Sequence, residues 1–401
     1  MTEEAHSSTH PPLPPTTEDL QFSWLRLLRS RRVGPATFYR LLSEYGSAQN
    51  ALTALPKMAR SAGIKGYEIC SADAVDAEME VAKAANARLL CFGTPDYPAA
   101  LAQMRDPPPA LWAIGDLDVL HRPMIAIVGA RNASSLGTRM ARALAYDLGT
   151  QGFTVVSGLA RGVDTAAHDA SLASGTVAVL AGGVDVIYPA ENTRLAEQIR
   201  DRGVLLSEQP MGLPPKARHF PKRNRIIAGL AQAVVVVEAA AKSGTLITAR
   251  DALDMGREVL AVPGHPFDAR ASGCNMLIRD GAQLVRNAED VIAALPPAPH
   301  VTLCSLPGGT PGNDTAHNAK EALAKLPPPP PQRRSLRETA ALHQQVLDRL
   351  GPSPTPEDQL LRDLAIAPRD LSTVLTDLEL DGSVDRLPGG LLSRPLVRKD
   401  D

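Results

Sequence analysis

Little in this chain points to a covalent or metal staple. Its four cysteines, Cys70, Cys91, Cys274 and Cys304, are scattered over 401 residues without CxxC or Cys/His spacing. That excludes a disulfide framework and a zinc site and leaves buried or incidental thiols. Aromatic residues make up 3% of the chain, so few rings are available as platforms for nucleobases. No apolar run approaches the roughly 20 residues of a membrane-spanning helix. Residues 1–17, MTEEAHSSTHPPLPPTT, have neither the basic nor the apolar region of a secretory leader, and a cytoplasmic protein with no membrane partner is expected. Nor is there an excess of charge, since 42 Lys+Arg face 44 Asp+Glu for a formal net charge of -2. A polyanionic partner must therefore be met by a local patch.

Several signatures of chemistry are missing as well. The strand-like run MIAIVGA continues into Gly129-Ala130-Arg131 instead of G-x-G-x-x-G, and Ser157 stands where the second strand would end in an acid. A dinucleotide cofactor is therefore not expected. G-x-x-x-x-G-K-[ST], H-E-x-x-H and G-x-S-x-G do not occur, which removes the P-loop, zincin and acyl-transfer readings. No cofactor, metal or catalytic residue is assigned.

What is present is length and pattern. With 44% hydrophobic residues the chain can build about two to three domains. Composition divides it into a disordered tail (1–17), a helical domain (18–85), an α/β domain (86–295), a proline-rich linker (296–334) and a compact tail domain (335–397). In the helical domain, Gly34-Pro35 separates two segments, and Phe38, Leu41, Leu42 and Tyr45 recur at helical spacing. This is either half of a helix-hairpin-helix or, the reading one Gly-Pro turn favours, a plain packing module. The α/β domain alternates apolar runs (MIAIVGA, FTVVSGL, VAVLAGG, GVLLSEQ, AVVVVEA, EVLAVPG) with amphipathic stretches such as Leu136 to Leu148. Strands apolar throughout and separated by helices predict a parallel sheet covered on both faces. The linker, with LPPAPH, LPGGTPGND and LPPPPPQRR, reads as a semi-rigid spacer. In the tail, three helical segments and two short strands around Pro388-Gly389-Gly390 suggest a winged helix. Its third helix offers Arg369 against Asp370, Asp377, Glu379 and Asp381, which favours a protein-contact or structural module over a base reader.

The strongest functional signal is a basic cluster. Lys216, Arg218, Lys222, Arg223 and Arg225 fall together, and no Asp or Glu occurs from Gln209 to Val237. Glycine turns follow the strands: VGARNASSLG, SGLARGVD, LAGGVD and EAAAKSGTLIT. In a doubly wound sheet such turns aim backbone amides at an anion near the carboxyl ends of the strands. Arg131 and Arg161 lie in two of them, and Lys242 precedes Ser243-Gly244-Thr245. Guanidinium forks match phosphate oxygens, so a phosphate-binding groove is expected.

The motifs IVGARNASSLG, SGLARGVDTAAH, AGGVDVIYPAEN, LLSEQPMG, HFPKRNRIIAGL, VVVVEAAAKSGTLITARDALDMGREVLAVPG and GCNMLIRDGA, in this order, resemble those of the DNA processing protein A family, also called Smf. The resemblance implies an extended Rossmann-like α/β domain with a mainly parallel sheet. A small N-terminal helical (SAM/HhH-like) domain and a C-terminal winged-helix-like domain would flank it. It implies a non-enzymatic homodimer that binds single-stranded DNA in natural transformation, protects it and loads the RecA recombinase. It further implies that phosphates are held by Gly129, Arg131, Ser157, Gly158, Arg161, Phe220, Lys222, Arg223, Asn224, Arg225, Lys242, Ser243, Gly244 and Thr245, with Phe220 either stacking on a base or filling the core beneath the cluster. The rival reading is a nucleotide phosphoribohydrolase similar to the lysine-decarboxylase-like family. Thr248 stands where that family carries its catalytic Glu, leaving Glu238 and Asp164 as substitutes, each of which also reads as a strand-end or cap residue.

Overall fold

The computed structural model describes residues 14–296, 345–350, 355–364, 371, 374–375, 378, 384–387 and 391–393. Of the expected disordered tail 1–17, residues 1–13 lie outside the described residues, whereas Pro15 is buried and Thr17 caps a helix. The expected linker beyond Pro296 and the charged residues of the third tail helix also lie outside the described residues. So does Cys304. The chain divides into two compact units, Met1–His300 and Val301–Asp401.

The first unit begins with four helices, three of them started by a side chain that satisfies a free amide. The Thr17 hydroxyl accepts from Leu20 N at 3.3 Å at the head of α1 (Glu18–Arg29), whose first turn is acidic, as a helix N-terminus favours. Gly34-Pro35 opens α2 (Pro35–Tyr45), where proline has no needed amide to lose, and Gly46, at φ 74, closes it. Ser47 and Ser71 cap α3 (Ala48–Ser61) and α4 (Ala72–Ala84). Trp24 and Phe38 meet edge to face in the core of this module, with centroids 5.0 Å apart.

Glu78 of α4 joins the module to the sheet. Its carboxylate accepts from Arg29 at 2.9 and 2.8 Å and from Trp112 Nε1 at 2.7 Å. Burial alone raises this carboxyl, but the Arg29 bond and charge and the Trp112 bond outweigh it, so its pKa lies below the ordinary value. A depressed carboxyl contributes stability above its unfolded pKa and loses it as pH falls through the folded one. Glu78→Ala removes the carboxylate partner of Arg29, whose side chain is 12% exposed and keeps only its bond to Glu208 O at 3.3 Å, and is expected to lower unfolding stability by about 3–5 kcal/mol. Urea titrations that place the variant within about 1 kcal/mol of the intact chain would contradict this.

Nine strands form one sheet, ordered β1-β2-β6-β5-β4-β3-β7-β8-β9. They are β1 (Arg88–Cys91), β2 (Ala110–Gly115), β3 (Met124–Val128), β4 (Thr154–Ser157), β5 (Thr176–Val179), β6 (Val204–Ser207), β7 (Ala233–Val236), β8 (Glu258–Ala261) and β9 (Gln283–Leu284). From β6 to β9 all pairings are parallel, whereas β1 and β2 add an antiparallel edge. The sequence pattern predicted the six strands β3 to β8 and omitted β1, β2 and β9. β1 and β2 pair antiparallel at the rim, and β9 is two residues long, so none shows a run bounded by crossover helices.

Helices cover both faces, as predicted. On one side pack α6 (Ser135–Thr150) and α7 (Val163–Ser171), burying Leu144, Leu148, Ala166 and Ala167. On the other pack α9 (His219–Leu230) and α10 (Thr245–Asp254), burying Ile226, Ile227, Ala249 and Ala252. Cys91 and Cys274 are buried, and burial pushes their thiols up to about 12 and about 11. The chain order runs outward from β3 in both directions, through β4 to β6 on one side and β7 to β9 on the other. β3 and β7 therefore flank the topological switch point, the place where such sheets bind ligands. The remaining α-helices of this unit are α5 (Ala99–Ala102), α8 (Thr193–Arg202), α11 (Ser272–Arg279) and α12 (Ala288–Ala294).

In the second unit β10 (Thr355–Pro356), β12 (Leu391–Ser393) and β11 (Asp385–Leu387) form a three-stranded antiparallel sheet. Val346, Leu360, Val374, Leu375 and Leu392 lie in one apolar core with it. The predicted hairpin around Pro388-Gly389-Gly390 corresponds to β11 and β12. Among the described residues no helix is long and apolar enough to cross a membrane.

Candidate nucleic-acid interface

The loop after β3 carries Arg131 and is clamped from three sides. Thr245 Oγ1 donates to Gly129 O at 3.0 Å, Val163 N donates to Ala130 O at 3.2 Å, and Ser134 is held by Glu238. A side chain at Gly129 would come within 2.6 Å of Val163, so close packing requires glycine there. Glu238 accepts from Ser134 N at 2.9 Å and from Ser134 Oγ at 2.5 Å, while that hydroxyl accepts from Gly137 N at 2.9 Å. A carboxylate of the chain thus occupies the N-terminus of α6, where a Rossmann fold would place a pyrophosphate.

The loop after β4 turns through Leu159, a non-glycine residue at φ 54. That conformation is sparsely populated and persists only where its surroundings over-determine it. Here the Asp164 carboxylate accepts from Gly158 N at 3.1 Å and Ala160 N at 3.3 Å, and Asn192 Nδ2 donates to Leu159 O at 2.9 Å. Burial raises the Asp164 carboxyl against the charge of Arg223 and these amide bonds.

Arg223 reaches under this loop from α9. Its Nη1 donates to Gly158 O at 2.5 Å and to Val179 O at 2.7 Å, and the residue is 6% exposed. A Cβ on Gly158 would collide with the guanidinium. Burial pushes Arg223 down to about 10, with Asp164 opposing and Arg131 assisting, so it remains a cation at neutral pH. Beside it, Phe220 has Arg131 Cζ 5.1 Å and Arg223 Cζ 6.0 Å from its ring centroid. The two arginines, Gly158, Ala160, Arg161, Tyr188, Pro189 and Phe220 line one open cleft. At its rim Arg161 pairs with Glu191 at 3.1 Å, both more than half exposed.

Five of the predicted residues converge here: Arg131, Gly158, Arg161, Phe220 and Arg223. Others stand elsewhere. The Ser157 hydroxyl is buried and donates to Ile127 O at 2.7 Å, tying β4 to β3. Arg225 turns away, its Nη1 donating to Asp106 O at 3.0 Å and its Nη2 paired with Glu208. Lys222 is exposed and Asn224 half-buried on α9. Lys242 and Gly244 are exposed beyond β7, while the Ser243 hydroxyl donates to Thr245 Oγ1 at 3.0 Å and accepts from Thr245 N at 3.2 Å. Of the carboxylates considered for hydrolysis, Asp164 and Glu238 hold backbone amides and neither lines the cleft. Thr248 is 2% exposed.

Tyr188 and Pro189 were missed by sequence reasoning, which looked for charge and glycine. The available signal was scarcity, because Tyr188 is one of only six tyrosines and lies in the connection that opens with the Gly182-Gly183 turn after β5. Among the described residues no group of three or more His, Cys, Asp or Glu side chains is placed to hold a metal.

A mainly parallel sheet covered on both faces, with arginines and glycine turns at an open cleft by its strand ends, places the first unit among Rossmann-like α/β proteins. Residues 88–296 match the DNA recombination-mediator protein A family, residues 18–81 its N-terminal HHH domain and residues 327–390 its winged helix domain. The chain belongs to this family. It is 34% identical to Protein Smf of Synechocystis over 92% of its own length and 97% of the relative's. The solved structure of DNA processing protein A from Streptococcus pneumoniae covers 66% of this chain and 99% of its own, at 34% identity and a TM-score of 0.53. A second, from Helicobacter pylori, was described for its single-stranded DNA binding mode. It covers 51% of this chain and 94% of its own at 29% identity, with a TM-score of 0.48.

Proposed function

We propose that the cleft grips backbone phosphates of single-stranded DNA without reading sequence. On this reading the chain is a binding protein of the cytoplasm that protects incoming DNA in natural transformation and delivers it to RecA, working as a homodimer. The observation that carries the proposal is the placement of Arg131 and Arg161, exposed, beside the buried cation Arg223 at the carboxyl ends of β3 to β5. Guanidinium groups on glycine turns suit phosphate and carry no base code. The family's description as a recombination mediator and the pneumococcal relative's name as a DNA processing protein support the choice of DNA as the polyanion. The placing of Asp164 and Glu238 outside the cleft supports binding over hydrolysis.

The test is anisotropy of a labelled dT oligonucleotide titrated with the full chain across a salt series. Arg131→Ala, at an exposed position, is expected to weaken binding about 10- to 150-fold, the cost of a charged hydrogen bond. It should also reduce the slope of log K against log salt by about 0.7 for each phosphate that is no longer gripped. Binding that is absent in the intact chain, or unchanged in affinity and slope by Arg131→Ala, overturns the assignment.

A further inference from the structure

We propose that Tyr188 is the nucleobase platform of the cleft and that Phe220 serves instead to seat Arg131. The proposal rests on the phosphate reading of the same cleft and adds to it a subsite of a second chemistry, for an unpaired base.

Two aromatic rings line the cleft, and their surroundings differ. Phe220 is half-buried and has the guanidinium carbons of Arg131 and Arg223 at 5.1 and 6.0 Å from its centroid. These are cation–π distances, so its ring is engaged in holding the two cations. Tyr188 is 49% exposed and stands 5.9 Å from Phe220, with the ring planes inclined at 59°. Its own ring is thus partly open at the mouth of the cleft, beside Arg131 and Arg161.

The segment carrying Tyr188 is braced on both sides. Upstream, Gly183 N donates to Leu213 O at 2.8 Å and Gly212 N donates to Asp185 Oδ1 at 2.8 Å. Downstream, Asn192 is 6% exposed and its Nδ2 donates to Leu159 O at 2.9 Å and to Thr165 Oγ1 at 3.0 Å. A large ring presented to solvent from a braced segment loses little conformational entropy on binding. A base whose own phosphate is gripped by Arg131 lies one sugar away from that phosphate, which brings it to such a ring.

The consequence concerns discrimination. Phosphate contacts alone do not distinguish single strands from duplex, whereas stacking on a protein ring requires a base free of its own stack. The structure therefore assigns preference for single strands to Tyr188 and charge-driven affinity to the arginines.

The experiment compares the full chain with Tyr188→Ala, Tyr188→Phe and Arg131→Ala. It measures binding of a labelled dT oligonucleotide and of an abasic oligonucleotide of equal length, which has the phosphates without bases. Tyr188→Ala is expected to weaken dT binding about 5- to 150-fold, the usual range for removal of one base stack. Tyr188→Phe should restore it, and abasic binding should be the same in the intact chain and both tyrosine variants, which also reports that the cleft is folded. Unchanged dT binding by Tyr188→Ala, or equal weakening of dT and abasic DNA, overturns the base platform. Abasic binding left unchanged by Arg131→Ala overturns the phosphate reading instead, so the two failures are separable.

Discussion

Arg223→Ala is expected to lower unfolding stability by about 3–5 kcal/mol, the usual result of removing one partner from a buried charge network. The guanidinium bridges Gly158 O and Val179 O, so its loss leaves two inward-facing carbonyls without donors. It also removes the largest charge acting to keep the buried Asp164 ionised, and Asp164 is what holds the turn at Leu159 through Gly158 N and Ala160 N. The variant should thus lose the floor of the cleft along with stability, and bind dT weakly even where it is folded. Arg223→Lys keeps the charge but lacks the fork, and should recover only part of the loss. Urea unfolding of both variants checks this. A cost below about 1 kcal/mol for the alanine variant would mean that Arg223 is an ordinary surface-type cation.

Stability should also fall steeply toward acid because of His168. This imidazole is fully buried in α7, with Nδ1 2.8 Å from Thr176 Oγ1. The Thr176 hydroxyl donates to Val155 O at 2.7 Å, so Nδ1 carries the proton and donates. Burial, and then the charge of Arg223, push His168 down to about 3. An unfolded histidine takes up its proton near pH 6.5, so between those values the unfolded chain binds more protons than the folded one. Stability is then lost as pH falls, by about 1.4 kcal/mol per pH unit, or roughly 4–5 kcal/mol over the whole window. Asp164 acts in the opposite sense, since burial raises its carboxyl. The His168 share is therefore read as the difference between the intact chain and His168→Gln. Denaturant titrations at pH 7 and pH 5 should show the intact chain losing about 2 kcal/mol more than the variant. Parallel losses in the two chains would rule this out.

Much of this was legible without tertiary structure. The continuous apolar runs of β3 to β8 read as strands buried on both faces, and the amphipathic stretches between several of them as crossover helices. The helix predicted from Leu136 to Leu148 appears as Ser135–Thr150, with Leu144 and Leu148 inward as its spacing required. Two of the four glycine turns, those carrying Arg131 and Arg161, border the cleft, and they were legible because strand direction and turn chemistry are properties of short segments.

The fate of the basic cluster was decided elsewhere. α9 begins at His219, and residues two apart on a helix diverge by about 200°. Arg223 and Arg225 therefore cannot face the same ligand. Which of them enters the cleft depends on partners 65 and 119 positions distant, Gly158 for one and Asp106 for the other. Glu238 came to hold Ser134, the N-cap of α6, for the same reason, since the two are 104 residues apart in sequence.

The sequence by itself determined the six strands β3 to β8, their covering helices and the glycine turns at their ends, because periodicity and turn chemistry act over a few residues. Only the tertiary structure decided which cations face solvent, which are structural, and that Tyr188 stands at the rim. Those outcomes rest on contacts between segments far apart in the chain, and on the burial that such contacts impose.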